Sequence, residues 1–218
     1  MKDPFFKLNL ITSKPITYST RDYLDFISTC AQAGITSVQL REKKLYKKDL
    51  LRLGYNLKTI LDSFEIPFIV NDNLDLCLKL NASGVHFGQQ DGNPIDARKS
   101  LGSKKIIGLT VNTLSQIEAA NLLPIDYVGV GAIFPTNNKP DVETIWGIDG
   151  LKKAVNISIH PIVAVGGINV SNARIIIKAG ANGIAAIGAF HDAINPKITT
   201  HHLRKIIDKE YHGHDQRY

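Results

Sequence analysis

Leu8-Asn9-Leu10-Ile11-Thr12-Ser13-Lys14-Pro15 is the stretch whose reading decides the fold. Residues 8–12 are a short apolar run and read as a first strand. A doubly wound nucleotide-binding sheet wants a glycine-rich turn directly after that strand, and Ser13-Lys14-Pro15 is not one. Outward from here the chain repeats one cycle of strand and helix. Leu24, Ile27 and Ala31 form a helical stripe within 23–33, and Gly34 stands where a helix stops. A second strand is expected at 35–40 and a helix at 47–63. Further strands are expected at 66–70, 84–87, 105–109, 126–130, 162–165 and 183–187. Helices are expected between them at 74–80, 94–101, 113–122, 147–155 and 169–179, with a last one at 196–209. Eight strands alternating with helices, on mostly short connections, predict an α/β fold: a single (β/α)8 TIM barrel. It is expected to fill residues 1–210 as one catalytic domain, with a polar tail over 211–218.

The chain has 218 residues, enough for one such domain. Hydrophobic residues make up 44% and charged residues 21%, the balance of a globular core with a wetted surface. No run approaches the roughly 18 apolar residues that span a bilayer. Met1-Lys2-Asp3-Pro4 lacks a signal peptide's apolar stretch. A cytoplasmic protein without a membrane partner is expected. The formal net charge is +6, yet the cations are scattered outside 41–48 and the carboxyl end. There is no zinc-finger spacing, no Arg/Lys-rich helix and little aromatic interleaving. The charge therefore reads as a basic pocket for phosphorylated small molecules, and no nucleic-acid partner is expected. Cys30 and Cys77 lie in apolar periodic segments without a Cys or His at metal spacing, and read as buried inert thiols.

In such a barrel the chemistry sits at the carboxyl ends of the strands. Val38-Gln39-Leu40-Arg41-Glu42-Lys43 ends the second strand. Gln39, Arg41 and Lys43 are spaced two apart, so an extended chain sends them to one side and Leu40 to the other. Two cations and an amide suit a multiply charged anion such as a diphosphate. On these six residues alone, a basic loop after an ordinary strand stays open. Glu42 faces away and reads as a partner for a neighbouring cation. The other strand ends offer Asn71 and Asp72, then Asp91, Thr110, the run from Thr136 to Lys139, Gly166 with Gly167, and Gly188. The connection over 131–146 is the longest without a regular pattern, and such loops in compact domains are commonly functional.

Asp72 and Asp91, on adjacent loops, can share magnesium, which takes one or two carboxylates beside waters and phosphate oxygens. Singly, Asp72 also suits a helix N-cap and Asp91 a turn before Gly92. Gly166-Gly167 and Ile187-Gly188-Ala189 leave backbone N–H groups open to a phosphate, and plain turn geometry is the other reading. Lys139 can reach either anion site or stand solvated. Two phosphorylated substrates joined with loss of diphosphate would use the whole set, with no nucleophilic residue required. His86 suits a base or a metal ligand, but a packed, hydrogen-bonded core histidine is the preferred reading. His160, His191, His201 and His202 read as surface or structural.

The ordered motifs closely resemble the thiamine-phosphate synthase family. They are Val38 to Lys43, Val70-Asn71-Asp72, Gly84 to Asp91, Ile107 to Val111, Asp126 to Thr136, Lys139 and Ala164 to Ile168, within a span of roughly residues 8–208. The resemblance implies transfer of an aminopyrimidine from its methyl diphosphate to the ring nitrogen of a hydroxyethylthiazole monophosphate. The products would be thiamine phosphate and diphosphate, formed by a dissociative, magnesium-assisted route. It implies that Gln39, Leu40, Arg41, Glu42, Lys43, Asn71, Thr110 and Lys139 bind the pyrimidine diphosphate, with Arg41, Lys43 and Lys139 catalytic. Asp72 and Asp91 would hold Mg2+. Thr136, Asn137, Asn138, Gly167, Ile187 and Gly188 would hold the thiazole phosphate.

Three positions depart from the family pattern: Thr110 and Gly188 where serine is usual, and Asn138 where a second threonine is usual. Asn138 still donates hydrogen bonds and Gly188 keeps its N–H. The related thiazole tautomerase shares the barrel and the phosphate site but has no need of the diphosphate-and-magnesium set. A non-catalytic phosphate-binding barrel is the remaining alternative. The sequence leaves a homo-oligomer open.

Overall fold

The structure is a computed structural model and describes residues 4–138 and 144–211. Eight parallel strands close into a barrel in sequence order, β8 returning to pair with β1. The first half runs β1 (Leu8–Ile11), α1 (Thr20–Ala33), β2 (Ser37–Leu40), α2 (Lys47–Ser63), β3 (Phe68–Asn71), α3 (Leu74–Lys79), β4 (Gly84–Phe87) and α4 (Pro94–Leu101). The second half runs β5 (Ile106–Val111), α5 (Leu114–Ala120), β6 (Tyr127–Gly131), α6 (Gly147–Ile157), β7 (Ile162–Val165), α7 (Ala173–Lys178), β8 (Gly183–Ala186), α8 (Gly188–His191) and α9 (Pro196–Tyr211). The (β/α)8 barrel expected from the sequence is the observed fold. Of the tail expected over 211–218, only Tyr211, the last residue of α9, lies within the described residues.

The two-residue period of each strand sorts its side chains into two cores. Val38, Leu40, Phe68, Val70, Val85, Phe87, Ile107 and Val128 face outward and pack with the helices in one large cluster. Each such side chain, fully buried, contributes roughly 1.5–3 kcal/mol. Ile11, Ile69, Tyr127, Val163 and Ala185 form a smaller cluster inside the barrel, with Phe5 and Phe6 packed against it. The residues between outward positions are therefore the ones that reach the interior, and the site is built from them. Cys30 and Cys77 are free and buried, and burial pushes both thiols up to about 11. No helix among the described residues is long and apolar enough to cross a membrane.

Where bounds differ from expectation, side-chain hydrogen bonds or strand pairing account for it. α1 starts at Thr20, three residues early, because Ser19 and Asp22 form a capping box. β3, β5 and β6 run further into the mouth: Asn71 pairs with His86, Thr110 with Gly129 and Gly131 with Val165. Asn71 and Thr110 are thus strand residues and not loop residues. α7 starts only at Ala173 because two asparagines hold the preceding turn. Asn172 accepts from the Asn169 N–H and donates to the Gly167 carbonyl, and Asn169 accepts from the Ser171 N–H. The four-residue α8 was not expected at all.

Candidate active site

A cavity of about 850 Å³ opens at the carboxyl ends of the strands. Gln39, Arg41 and Lys43 all line it. The strand ends at Leu40, yet the alternation persists far enough to keep the three together. The Arg41 N–H donates to Thr12 Oγ1 at 2.9 Å, which ties this exit to the end of β1. Leu40 is 2% exposed, belongs to the outer core and does not line the cavity. Glu42 also turns away: its carboxylate accepts from the Lys14 N–H at 2.9 Å. Burial raises its pKa above the usual range, while that hydrogen bond and the nearby Lys14 and Arg41 charges oppose the shift. The cation partnership expected for Glu42 is thus chiefly a backbone hydrogen bond.

The carboxylates meet across the next two strand ends. Asp72 follows β3 in the left-handed region, φ 61°, which aspartate tolerates better than most residues. It is not the cap of α3; Asn73 is, accepting from the Leu76 N–H at 2.9 Å. The Asp72 carboxylate faces the mouth instead and is ion-paired with the Lys43 ammonium. Asp91 accepts from the Gly88 N–H at 3.1 Å, so its turn-closing duty is real. Its pKa is raised by burial first, then by the Asp72 charge and a shared hydrogen bond with Asp72. Two neighbouring carboxylates, with a cation beside them and open cavity in front, are a donor set that fits a hard divalent ion. No group of three or more His, Cys, Asp or Glu side chains at metal spacing exists among the described residues. Any such ion would take its remaining oxygens from elsewhere.

Deeper in, His86 lies between Tyr127 and Thr110. Nδ1 is 2.8 Å from the Tyr127 hydroxyl and Nε2 is 2.7 Å from Thr110 Oγ1. Tyr127 is 2% exposed, and burial holds its phenol far above the usual range, so the O–H stays intact. Among the described residues its hydroxyl hydrogen-bonds only to His86. A buried O–H left without an acceptor is costly, so it donates to Nδ1. Nε2 then carries the ring proton and donates to Thr110, whose own hydrogen is left for a group in the cavity. The packed, hydrogen-bonded histidine preferred from the sequence is what the structure holds.

The opposite wall is backbone. Gly131, Gly166, Gly167, Ile187 and Gly188 line it, with Thr136 and Asn138 from the long loop. Gly166 and Gly167 have φ of 95° and 66°, and a Cβ at Gly167 would stand 2.6 Å from the Pro135 carbonyl oxygen. Both observations require glycine whether or not a phosphate binds. At Gly188 a Cβ would meet Asn138 Nδ2 at 3.1 Å and the Asp192 carboxylate at 2.7 Å. The two departures from the family pattern are therefore neighbours, and a side chain at 188 would crowd Asp192 first and the tip of Asn138 second. Asn137 is exposed and does not line the cavity. Lys139 lies outside the described residues.

Several lining residues went unread in the sequence. Asn9, Gln89, Asn112, Gln116 and Asp192 all border the cavity. Asn9 had a visible signal, a lone amide inside an apolar strand. His191, expected to be structural, bridges α8 to α1: Nδ1 lies 2.9 Å from the Ile187 carbonyl and Nε2 lies 3.0 Å from the Tyr23 hydroxyl.

Fold and mouth together define a class, a barrel enzyme whose chemistry sits at the carboxyl ends of its strands. A family model described as thiamine monophosphate synthase matches residues 8–190. The thiamine-phosphate synthase of Chlamydia abortus is 56% identical over 209 residues, covering 96% of this chain and 98% of that one. The thiamine-phosphate synthase of Vibrio parahaemolyticus is 37% identical, covering 93% and 98%. Among solved structures, a thiamine phosphate pyrophosphorylase from Pyrococcus furiosus superposes with a TM-score of 0.84 at 31% identity, covering 94% of this chain and 97% of that one. The chain belongs to the thiamine-phosphate synthase family, and it is an enzyme of the transferase class in thiamine biosynthesis.

Proposed function

We propose that the chain joins 4-amino-2-methyl-5-(diphosphooxymethyl)pyrimidine to 4-methyl-5-(2-phosphooxyethyl)thiazole, giving thiamine phosphate and diphosphate. The observation that carries this reading is the division of one cavity into two unlike walls. Arg41, Lys43, Asp72 and Asp91 line one side, and Gly167, Ile187 and Gly188 the other. A diphosphate leaving group asks for the first and a monophosphate anchor for the second. In this reading the bond from the pyrimidine methylene carbon to the diphosphate oxygen breaks with its electron pair going to diphosphate. The thiazole nitrogen then gives its lone pair to the methylene carbon. Arg41 and Lys43 hold the diphosphate and offset the charge that grows on it. Thr110, held by His86, donates its hydrogen to the pyrimidine diphosphate, and Gln39 and Asn71 orient the ring side. Lys139 completes the cation set, and Leu40 and Glu42 contribute through their backbone. Thr136 and Asn138 border the thiazole phosphate, and Asn137, outside the cavity lining, would act on it only through its backbone.

Asp72 and Asp91 would hold Mg2+, which supplies further positive charge beside the departing diphosphate. Lys43 is paired with Asp72, and a diphosphate gives its ammonium a second partner. The same reading makes the protein cytoplasmic, with two phosphorylated small molecules as its partners and neither nucleic acid nor membrane among them. A homo-oligomer is compatible with it.

A thiazole tautomerase or a non-catalytic phosphate-binding barrel would have no use for the charged wall. The test mixes both phosphorylated substrates with the protein, with and without magnesium, and follows thiamine phosphate. Product that depends on magnesium supports the synthase. Failure to form product under magnesium, beside an active relative run in parallel, overturns it. Tight ligand binding without turnover favours the binding barrel.

A further inference from the structure

Asn9 stands in the middle of β1, on the inward side, and lines the cavity. It is 2% exposed. Its Oδ1 is sealed from solvent and has no hydrogen-bond partner, and among the described residues its Nδ2 has none either. Its surroundings offer nothing to correct this. In register it lies beside Ala185 on β8 and Ser37 on β2. The Ser37 hydroxyl donates its one hydrogen to the Phe5 carbonyl at 2.7 Å, so it has none for Oδ1. The inner cluster around it is apolar, with Ile11, Tyr127, Val163 and Ala185. Buried amides are almost always paired, and one left unpaired inside a barrel works against folding. An amide that the protein does not satisfy, at the edge of a cavity, is a group that a ligand can satisfy.

The chemistry of the place selects the ligand. The amide is neutral and lies among apolar side chains, away from the Arg41 and Lys43 rim, so it suits a neutral ring and not a phosphate. A carboxamide presents an acceptor and a donor side by side. One end is sealed here, so a single end meets the ligand, and its oxygen suits an exocyclic amine on a ring. Turning the amide by half a rotation places either end toward the cavity. Gln39 is 4% exposed, is paired in register with Ile11, two residues on from Asn9, and likewise has no side-chain hydrogen bond among the described residues. Neighbouring strands thus carry two unsatisfied amides.

We propose that Asn9 is a specificity-determining residue: its carboxamide, turned so that the oxygen faces the cavity, accepts a hydrogen bond from the amine of the aminopyrimidine substrate. This rests on the reading of the reaction given above and adds a residue to it.

The test compares wild-type protein with Asn9→Leu, close in size and without polarity, and with Asn9→Ala. Binding of the pyrimidine diphosphate and of an analogue carrying hydrogen in place of the amine is measured by calorimetry without thiazole. Wild type is expected to prefer the amine compound by about tenfold, the worth of a buried hydrogen bond left unmade. Both variants lose that preference while the KM for the thiazole phosphate stays unchanged. Asn9→Leu melts no lower than wild type, since an unpaired buried amide is replaced by an apolar group. Retention of the full preference by the variants overturns the proposal. So does a lowered Tm of Asn9→Leu with both substrates weakened together, the mark of a structural role. Wild type that forms no thiamine phosphate at all defeats the reaction reading itself, a result visible before either variant is made.

Discussion

The two walls of the cavity are built on different principles. On the side of β2 to β4 the site consists of side-chain charge: Arg41, Lys43, Asp72 and Asp91. On the side of β6 to β8 it consists of backbone: Gly131, Gly166, Gly167 and Gly188. Charge placed at a strand end has little structural excuse, so its presence points to a ligand. The glycines have a complete structural excuse. The left-handed φ of Gly166 and Gly167, and their closeness to the loop after β6, would demand glycine in a barrel with no ligand. The charged wall should therefore separate activity from stability under mutation, whereas the glycine wall should not.

The largest effect is expected at Asp91. Asp91→Ala removes a carboxylate that lies against the Asp72 charge and costs one hydrogen bond from the Gly88 N–H. These nearly offset one another in the fold, so the Tm should move by only a few degrees. Turnover should fall by about a hundredfold or more, the usual cost of losing a group that stabilises leaving-group charge. Steady-state kinetics beside a thermal melt checks this. A collapse of folding with the activity would make Asp91 a turn residue and erase the contrast between the walls.

Gly167→Ala comes next and should behave in the opposite way. A methyl group there meets the Pro135 oxygen at 2.6 Å and Phe134 Cβ at 2.7 Å on a backbone at φ 66°. The strained conformation and the clash together should cost about 2–4 kcal/mol. The Tm should drop by roughly 5–15 °C, with weakened use of the thiazole phosphate following from the damaged fold. An unchanged melt would remove the packing account and leave phosphate binding as the sole reason for glycine.

The same difference explains what the sequence discloses. The barrel was legible because its outer core obeys a two-residue strand period and a helical period at once, as in Val38 and Leu40 against Leu53 and Leu57. The charged wall was legible because Gln39, Arg41 and Lys43 share a strand side and because Asp72 and Asp91 end adjacent strands. α8 was not legible: four residues beginning with glycine carry no periodicity. The start of α1 was written in Ser19 and Asp22 but needed the capping box to be sought. The Tyr127–His86–Thr110 chain joins three strands, and no local pattern marks a pairing that only barrel closure creates. Nor does any local pattern tell that Asn138 and Gly188, 50 positions apart by their numbers, lie side by side.

The smallest effect tests whether the glycine wall has a titrating part of its own. His191 ends α8, which begins with Gly188, and its ring joins the Ile187 carbonyl to the Tyr23 hydroxyl and the Ser13 N–H. Burial lowers its pKa below the ordinary 6.5, and the Ile187 hydrogen bond and the Asp192 charge only partly resist. The buried ring is thus neutral where an exposed one would begin to charge. Above pH 6.5 it is neutral in the folded and the unfolded chain, and its contribution to stability is complete. As the pH falls below that value the unfolded chain takes up the proton first, and stability is lost until the pH has passed through the lower folded value. Urea unfolding between about pH 5 and 8 should show this loss in wild type and a flatter profile in His191→Gln, which puts a neutral amide in the ring's place. Parallel profiles would mean that α8 is held by its backbone alone, and the wall that looks like backbone would be so in its energetics as well.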